Sequence, residues 1–290
     1  MKDLNKLSKR CLICAAGHNT LYGHVNSDGV KWIWCNKCNR SYDLEEYCAE
    51  VGIDYPTDEE IAKIVEDDPE DSQLNRISWP KHFIPMWQED AKPGIEYLKT
   101  RKIDPGDGMY YDVNSNGIVF PYYYESYCVG AQVRFIEPKL KNNKPWKITT
   151  VEGTKLGKLF YGWNQGDLPQ NIKYMVVTEG AFNAIALQQT LNRHFKSVTK
   201  NPYRFIAASG ANIGTHREDI LRELISDGMK VILAADPDEA GFEMVERAAK
   251  NGCITHFSSV SEDNVDWNDL LIKYDEEKLK KEFLTNLRKI

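Results

Sequence analysis

Short apolar runs alternate with helical patterns in the second half of the chain. The spacing of apolar residues predicts helices over 182–194, 216–227 and 239–251. Between and around them, four apolar runs predict strands, namely YMVVTEG (174–180), RFIAAS (204–209), KVILAAD (230–236) and ITHFSSV (254–260). Short apolar strands that alternate with helices are typical of a parallel sheet covered on both faces, so we expect an α/β domain.

The segment before this domain has a different pattern, because β-like stretches follow one another without helices. The stretches GIVFPYYY (117–124), CVGAQVRFI (128–136), WKITTV (146–151) and KLFYG (158–162) are separated by turn residues and predict a mixed, β-rich subdomain. Farther upstream, residues 54–71 are acidic and contain prolines, which is typical of a linker, here with a short helix over 59–66. An amphipathic helix is predicted over 279–287.

These patterns divide the 290 residues into five segments. We expect a cysteine-containing ribbon over 1–50, an acidic linker over 51–77, a basic β-rich subdomain over 78–170, the α/β domain over 171–274 and a C-terminal helix over 275–290.

Composition narrows the class of protein only slightly. Hydrophobic residues make up 42% and charged residues 28% of the chain, as in ordinary soluble globular proteins. No apolar run is long enough to cross a membrane and the first residues lack the apolar core of a signal peptide, so we expect a cytoplasmic location and no membrane partner. The net charge of −6 hides an acidic segment at 54–71 and a basic one at 139–158, and therefore does not exclude a nucleic-acid partner.

Acidic side chains follow two of the predicted parallel strands, at the point where each strand ends. Glu179 follows one strand, and Asp236 and Asp238 follow another. Ligand sites of such sheets lie beyond the carboxyl ends of the strands, and carboxylates that meet there repel one another unless a cation neutralises them. Oxygen ligands alone favour Mg²⁺ or Mn²⁺, and Gly180 and Gly241 would let the backbone turn and approach a phosphate. The alternative is that both aspartates only cap the next helix.

The first segment contains a cysteine pattern that indicates a structural zinc site. Cys11 and Cys14 form one CxxC pair, and Cys35 and Cys38 form a second. Four thiolates at this spacing can surround Zn²⁺ in a tetrahedron, and the β-like residues between the pairs predict a zinc ribbon with a hairpin. Its tryptophans and cations would suit stacking on single-stranded bases or, alternatively, packing on one face of the ribbon.

The strand-end motifs resemble those of the TOPRIM domain, which bacterial-type primases, type IA and II topoisomerases and some nucleases share. The resemblance rests on Glu179-Gly180 and on the DxDxxG stretch from Asp236 to Gly241, within residues 173–271. It implies that Glu179, Asp236 and Asp238 hold the catalytic metals and that Glu179 takes part in proton transfer. Many primases carry a further acid four residues after the glutamate, where this chain has Asn183.

The resemblance extends to other residues. The stretch VDWNDLL (265–271) looks like the Asp-x-Asn stretch of phage-type primases and implies that Asp266 lies near the metals, although an aspartate here could also simply cap a helix. The turn at Ser209 could contact a phosphate or be an ordinary turn. In the β-rich subdomain, AQVRF resembles a primase strand that carries a basic residue in the polymerase cleft. The implied nucleotide- or template-binding residues are Arg134, Lys147, Lys155 and Lys158.

The order of these segments is similar to that of the primase half of phage-type primases. It implies a DNA-dependent RNA primase that joins ribonucleoside triphosphates on single-stranded DNA with Mg²⁺ or Mn²⁺ as catalytic ions and Zn²⁺ as a structural ion. The chain contains no GxxxxGK[ST] motif, so a separate helicase is the expected partner, and a phage origin is favoured. The alternatives are a TOPRIM-type nuclease or other DNA-processing enzyme, and a non-catalytic zinc-bearing DNA-binding protein.

Overall fold

The computed structural model divides the chain into two compact units, residues 1–74 and residues 75–290. It describes residues 21–25, 31–35, 40–52, 54–55, 74, 76–106, 108–124, 127–163, 171–210 and 213–290. Three of the predicted zinc ligands, Cys11, Cys14 and Cys38, and the predicted linker helix over 59–66 lie outside the described residues. The zinc site therefore stays a prediction.

The described part of the first unit is a small antiparallel sheet followed by a helix. Strands β1 and β2 pair as the predicted hairpin, with Leu21 opposite Cys35, and the helix follows directly after β3. The carboxylate of Asp43 accepts the backbone N–H of Glu45 at 2.8 Å and so caps this helix. The elements are β1 (Leu21–Val25), β2 (Lys31–Cys35), β3 (Arg40–Asp43) and α1 (Leu44–Val51).

The second unit begins with the predicted β-rich subdomain, which is an antiparallel meander of five strands in the order β4-β5-β6-β7-β8. The side chains of Ile118, Phe120 and Leu98 are buried between this sheet and helix α2. The elements are β4 (Phe83–Pro85), α2 (Lys92–Thr100), β5 (Tyr110–Asp112), β6 (Gly117–Tyr124), β7 (Tyr127–Lys141) and β8 (Lys144–Thr150).

The predicted strand KLFYG (158–162) is wrong. A 3-10 turn over Leu156–Lys158 is followed by an extended stretch whose backbone pairs with the neighbouring sheet at one isolated bridge, between Tyr161 and Ala207. Leu159 and Phe160 are buried in this stretch. The apolar pattern thus reflects packing against the edge of the α/β sheet rather than a ladder of hydrogen bonds.

The α/β domain has the predicted parallel sheet with helices on both faces. Its strand order is β10-β9-β11-β12-β13, in which the first four strands are parallel and β13, which the sequence did not indicate, is antiparallel to β12. The elements are β9 (Tyr174–Thr178), α3 (Ala181–His194), β10 (Tyr203–Ala207), α4 (Thr215–Ser226), β11 (Lys230–Ala235), α5 (Glu239–Lys250), β12 (His256–Ser259), α6 (Trp267–Lys273), α7 (Glu276–Thr285) and β13 (Arg288–Lys289).

Alternation along β9 and β11 separates two cores. Met175 and Leu233 pack with α4 and α5 on one face, whereas Val176 and Ile232 pack with α3, α6 and α7 on the other. Because all four side chains are fully buried, each contributes about 1.5–3 kcal/mol of hydrophobic stabilisation. Phe283 of α7 belongs to the second core, so the C-terminal helix packs onto the α/β domain.

Aromatic packing joins the β-rich sheet to the start of α3. The ring of Phe120 lies 5.2 Å from that of Phe182 and 5.3 Å from that of Tyr161, both edge to face. Such pairs contribute about 0.5–1.5 kcal/mol each beyond their buried area. Both sheets are therefore fixed against the first turn of α3, directly beside the strand-end carboxylates. Among the described residues, no helix has the length and apolar character needed to cross a membrane.

Candidate active site

The parallel register brings the two acidic strand ends together. Strands β9 and β11 are neighbours, with Thr178 opposite Ala234, so Glu179 and Asp236 leave the sheet at the same edge. Both residues line one cavity of about 290 Å³, which Asp266 also lines. The structure thus places these three acids at a common site, whereas Asp238, the third acid of the predicted metal set, does not line the cavity.

The buried carboxylates at this site favour protonation or a bound cation. Burial, and then the neighbouring charges of Glu179 and Asp266, raise the pKa of Asp236 to about 8. The pKa of Glu179 is raised mainly by burial, against a smaller opposite effect of the backbone amide of Asp236. Among the described residues, nothing donates a hydrogen bond to Glu179 Oε1, although this atom is buried. An orphaned anionic oxygen in such a position is a strong ligand for a hard cation.

Asp238 and Asp266 both act as helix caps. Asp238 Oδ1 accepts the backbone N–H of Gly241 at 2.8 Å at the start of α5, and Asp266 Oδ1 accepts that of Asp269 at 2.7 Å at the start of α6. Asp238 is exposed, whereas burial raises the pKa of Asp266. Both aspartates therefore cap a helix, and these hydrogen bonds fix the positions of their carboxylates.

The donor set fits Mg²⁺ or Mn²⁺ through few protein ligands. Within the described residues, no group of three acidic, histidine or cysteine side chains is close enough to hold a metal ion alone. Mg²⁺ commonly keeps several waters and binds one or two carboxylates together with substrate phosphates. Glu179 and Asp236 match that requirement. Burial and neighbouring acids raise the pKa of both carboxyls, and no cation among the described residues lowers either pKa.

The two glycines of the motif have different roles. A Cβ on Gly241 would lie 2.2 Å from the carbonyl oxygen of Asp236 and 3.1 Å from Glu179 Oε1, so only glycine fits between the two acids. Gly180 differs from expectation, because its φ of −113° is open to any residue and no atom lies within 4 Å of a built Cβ. Gly180 therefore makes no sharp turn, and it leaves open space at the start of α3.

The opposite wall of the cavity comes from the β-rich subdomain. Arg134 and Gln132 of β7 and Ile148 of β8 line it, so the predicted Arg134 borders the same cavity as the carboxylates. Lys147 is exposed and does not line the cavity; alternation along β8 directs it away from the face of Ile148.

The remaining two predicted basic residues lie outside the cavity lining as well. Lys155 precedes the 3-10 turn over Leu156–Lys158 and Lys158 is its last residue; the guanidinium of Arg217 donates to the carbonyl of Leu156 in this turn. Their roles as nucleotide- or template-binding residues stay predictions.

A polar contact connects the two walls of the cavity. The hydroxyl of Tyr122 donates to Gln132 Oε1 at 2.8 Å and also bonds the hydroxyl of Ser209. Burial raises the pKa of Tyr122 to about 12, so this hydroxyl keeps its proton. Ser209 has a left-handed φ of 59°, which is uncommon for a residue with a side chain, and it lines the cavity together with Gly210. The predicted turn therefore belongs to the site.

Sequence reasoning missed three polar residues. Arg101, at the end of α2, lines the cavity. Asn183 donates from Nδ2 to Asp236 Oδ1 at 2.9 Å, and the backbone N–H of Asn268 donates to Asn183 Oδ1 at 3.0 Å. The sequence offered one signal, namely that Asn183 occupies the position of an acid in many primases.

The matches to known proteins are consistent with this geometry. Residues 176–271 match the model of the Toprim-like family. No curated protein matches the chain. Among solved structures, the zinc-binding and RNA polymerase domains of the Aquifex aeolicus primase are 16% identical, with 98% of this chain and 79% of that one covered and a TM-score of 0.48.

Two further solved structures are similar over much of the chain. The primase fragment of the bacteriophage T7 primase-helicase is 18% identical, with 95% of this chain and 98% of that one covered and a TM-score of 0.42. A primase domain from Pseudomonas aeruginosa is 16% identical, with 71% and 64% covered and a TM-score of 0.45. The predicted resemblance to the TOPRIM domain is thus confirmed for residues 176–271, which we call the Toprim-like domain.

Proposed function

We propose that the protein is a DNA-dependent RNA primase that joins ribonucleoside triphosphates on a single-stranded DNA template. One observation carries the proposal: Glu179 and Asp236 of the Toprim-like domain line one cavity together with Arg134 of the β-rich subdomain. An acidic edge for divalent ions opposite a cation for phosphates is what nucleotidyl transfer requires.

The reaction forms a bond between the primer 3′-oxygen and the α-phosphorus of the incoming nucleotide and breaks the bond to the β-phosphate, releasing pyrophosphate. Divalent ions bound here would supply Lewis-acid stabilisation of the attacking and leaving oxygens. Glu179, whose pKa is raised by burial, is suited to accept the proton of the 3′-hydroxyl. Arg134 balances charge on the triphosphate or the template.

Asp238 and Asp266 complete the acidic site. Their capping contacts hold them at the starts of α5 and α6. The charges of both residues help to raise the pKa of Asp236. We assign them to the catalytic set with Glu179 and Asp236. Lys147, Lys155 and Lys158 extend the basic surface toward template or nucleotide. A structural Zn²⁺ held by Cys11, Cys14, Cys35 and Cys38 would order the first segment for template contact, and a separate helicase would be the partner.

A Toprim-like nuclease is the main alternative. It would use the same acidic edge, but it would act on DNA without nucleoside triphosphates and would not need Arg134 in the opposite wall. A non-catalytic DNA-binding role fits less well, because it would not need Glu179, Asp236 and Asp266 to line one cavity in which burial and neighbouring acids raise the pKa of Asp236.

One assay separates these functions. The protein is incubated with single-stranded DNA, Mg²⁺ or Mn²⁺, and ribonucleotides including labelled ATP, and the products are resolved by length. We expect short RNA oligomers from the wild type, none from Asp236→Ala and undiminished amounts from Asp219→Ala, which changes an exposed acid paired with Arg222 on α4. Cleaved DNA without oligomers would establish the nuclease, and DNA binding with neither product would establish the non-catalytic role.

A further inference from the structure

A chain of polar contacts runs from the β-rich subdomain to Asp236. It starts at Arg101, whose Nη1 donates to Asn268 Oδ1 at 3.2 Å, while Asn268 Nδ2 donates back to the carbonyl oxygen of Arg101 at 2.9 Å. The backbone N–H of Asn268 then donates to Asn183 Oδ1 at 3.0 Å, and Asn183 Nδ2 donates to Asp236 Oδ1 at 2.9 Å. We call these residues the amide relay.

The contacts fix the orientation of the Asn183 amide. A backbone N–H can only donate, so Asn183 must turn its oxygen toward Asn268 and its NH₂ group toward Asp236. An aspartate at this position could accept the same N–H, but it would place a second carboxylate oxygen against Asp236. Asparagine is therefore the residue that satisfies both neighbours at once.

Burial makes these contacts obligatory. Asn183 is 3% exposed and Asn268 is fully buried. Because a buried amide without partners is costly, the two side chains hold their neighbours in a defined arrangement. The relay ends on the carboxylate of Asp236, which lines the cavity.

Arg101 anchors the other end of the relay. Its guanidinium lies 5.6 Å from the ring centre of Tyr97 and 5.5 Å from that of Phe182, and Nη1 is 3.3 Å from Asp269 Oδ1. Tyr97 belongs to α2 and Phe182 to α3, so Arg101 is held at the junction of the β-rich and Toprim-like parts. The orientation of the Asp236 carboxylate in the Toprim-like domain therefore depends on contacts with the end of α2 in the β-rich subdomain.

We propose that Asn183 and Asn268 are positioning residues that hold the Asp236 carboxylate in place for a divalent ion and tie it to the β-rich subdomain through Arg101. The inference rests on the proposed function in one respect, namely that Asp236 is a ligand of that ion. It does not require the protein to be a primase rather than a nuclease.

The test is the affinity for Mn²⁺, measured from the electron paramagnetic resonance signal of free Mn²⁺ without nucleotide or DNA. Asn183→Leu keeps the size of the side chain and removes both hydrogen bonds. Loss of a group that orients a metal ligand lowers metal affinity by about 10–100-fold, and we expect this for Asn183→Leu. Asn268→Ala leaves the Asn183 contacts in place and removes the contact with Arg101, so we expect a smaller loss.

A matched control exists on the far side of the same domain. Asn251 Nδ2 donates to Glu218 Oε1 at 2.9 Å, which is the same kind of contact between an amide and a carboxylate. Asn251→Leu should leave Mn²⁺ affinity unchanged within about two-fold, even where it lowers stability. A merely structural effect of Asn183→Leu would act through stability and would be shared by this control.

The outcomes separate the two proposals. Unchanged Mn²⁺ affinity in Asn183→Leu, with normal binding by the wild type, overturns the relay and leaves the proposed function standing. Absence of Mn²⁺ binding in the wild type, both without nucleotide and with a ribonucleoside triphosphate present, overturns both. If Asn183→Leu does not fold, Asn183→Asp replaces it: Mn²⁺ should then raise its melting temperature more than that of the wild type or Asn251→Asp, because the ion neutralises two opposed carboxylates, and an equal rise overturns the relay.

Discussion

Removing the charge of Asp236 should stabilise the metal-free protein. The folded state raises the pKa of Asp236 from 3.8 to about 8, because the carboxylate is buried beside other acids. The protonated form is therefore favoured by folding, and its stabilising effect is complete below about pH 4 and lost as the pH rises through about 8. Asp236→Asn keeps the shape of the side chain and stays neutral at every pH.

The size of the effect follows from the pKa difference. A difference of about 4 pH units at about 1.4 kcal/mol per unit sets an upper limit near 6 kcal/mol above pH 8. Water entry and small movements of the acids reduce this cost, so we expect Asp236→Asn to raise the free energy of unfolding by about 2–4 kcal/mol at pH 8. At pH 5 the gain should fall to about 1.5 kcal/mol, because folded Asp236 is then largely protonated and the remaining difference is set by ionisation in the unfolded chain.

Urea unfolding at pH 5 and pH 8, in buffer without added Mg²⁺ or Mn²⁺, measures this difference. No chelator is used, because a chelator would also compete with the predicted zinc site of the first segment. Asp219→Asn serves as the control because Asp219 is an exposed acid paired with Arg222 at 2.6 Å, and it should change stability by less than about 1 kcal/mol at either pH. If Asp236→Asn is no more stable than the wild type at pH 8, or its gain does not shrink at pH 5, the carboxylates are not crowded as described.

Three further changes test other parts of the site. Gly241→Ala should lower stability by about 2–4 kcal/mol and abolish Mn²⁺ binding, because the new Cβ meets the carbonyl of Asp236 at 2.2 Å; calorimetry and Mn²⁺ titration check this. Arg134→Ala should lower kcat/KM for ribonucleotides by about 10–100-fold through loss of a charged hydrogen bond, with an unchanged melting temperature. Cys35→Ser should remove bound zinc in elemental analysis whereas Cys48→Ser, which changes a buried free thiol, should not.

The sheet of the Toprim-like domain could be predicted because its signals are local. Each strand is a short apolar run, and each acid follows directly after a strand, so periodicity and position were sufficient to bring Glu179 and Asp236 together. KLFYG (158–162) has the same local character, yet it forms no ladder, because its apolar residues pack against the edge of another sheet. A local pattern shows that residues are buried and leaves open what buries them.

The amide relay could not be predicted for the opposite reason. Arg101 and Asn268 are 167 residues apart, and although Asn268 lies in the stretch that resembles the Asp-x-Asn motif, nothing in the sequence indicates its contact with Arg101. Their contact depends on how α2 packs against the start of α6, which follows from the complete core. The same holds for the bond between Tyr122 and Ser209, which joins positions 87 residues apart.

The departure at position 183 supports an intact site rather than a decayed one. Loss of an acid from a site that had ceased to bind metal would leave a buried amide without a specific partner. Here the amide of Asn183 donates to Asp236 and accepts from the backbone of Asn268. A neutral donor at this point reduces the repulsion among the remaining acids and keeps the Asp236 carboxylate oriented, which an additional carboxylate could not do without a cation. The helix caps made by Asp238 and Asp266 act in the same direction, because a carboxylate held by a backbone N–H is already oriented before an ion arrives.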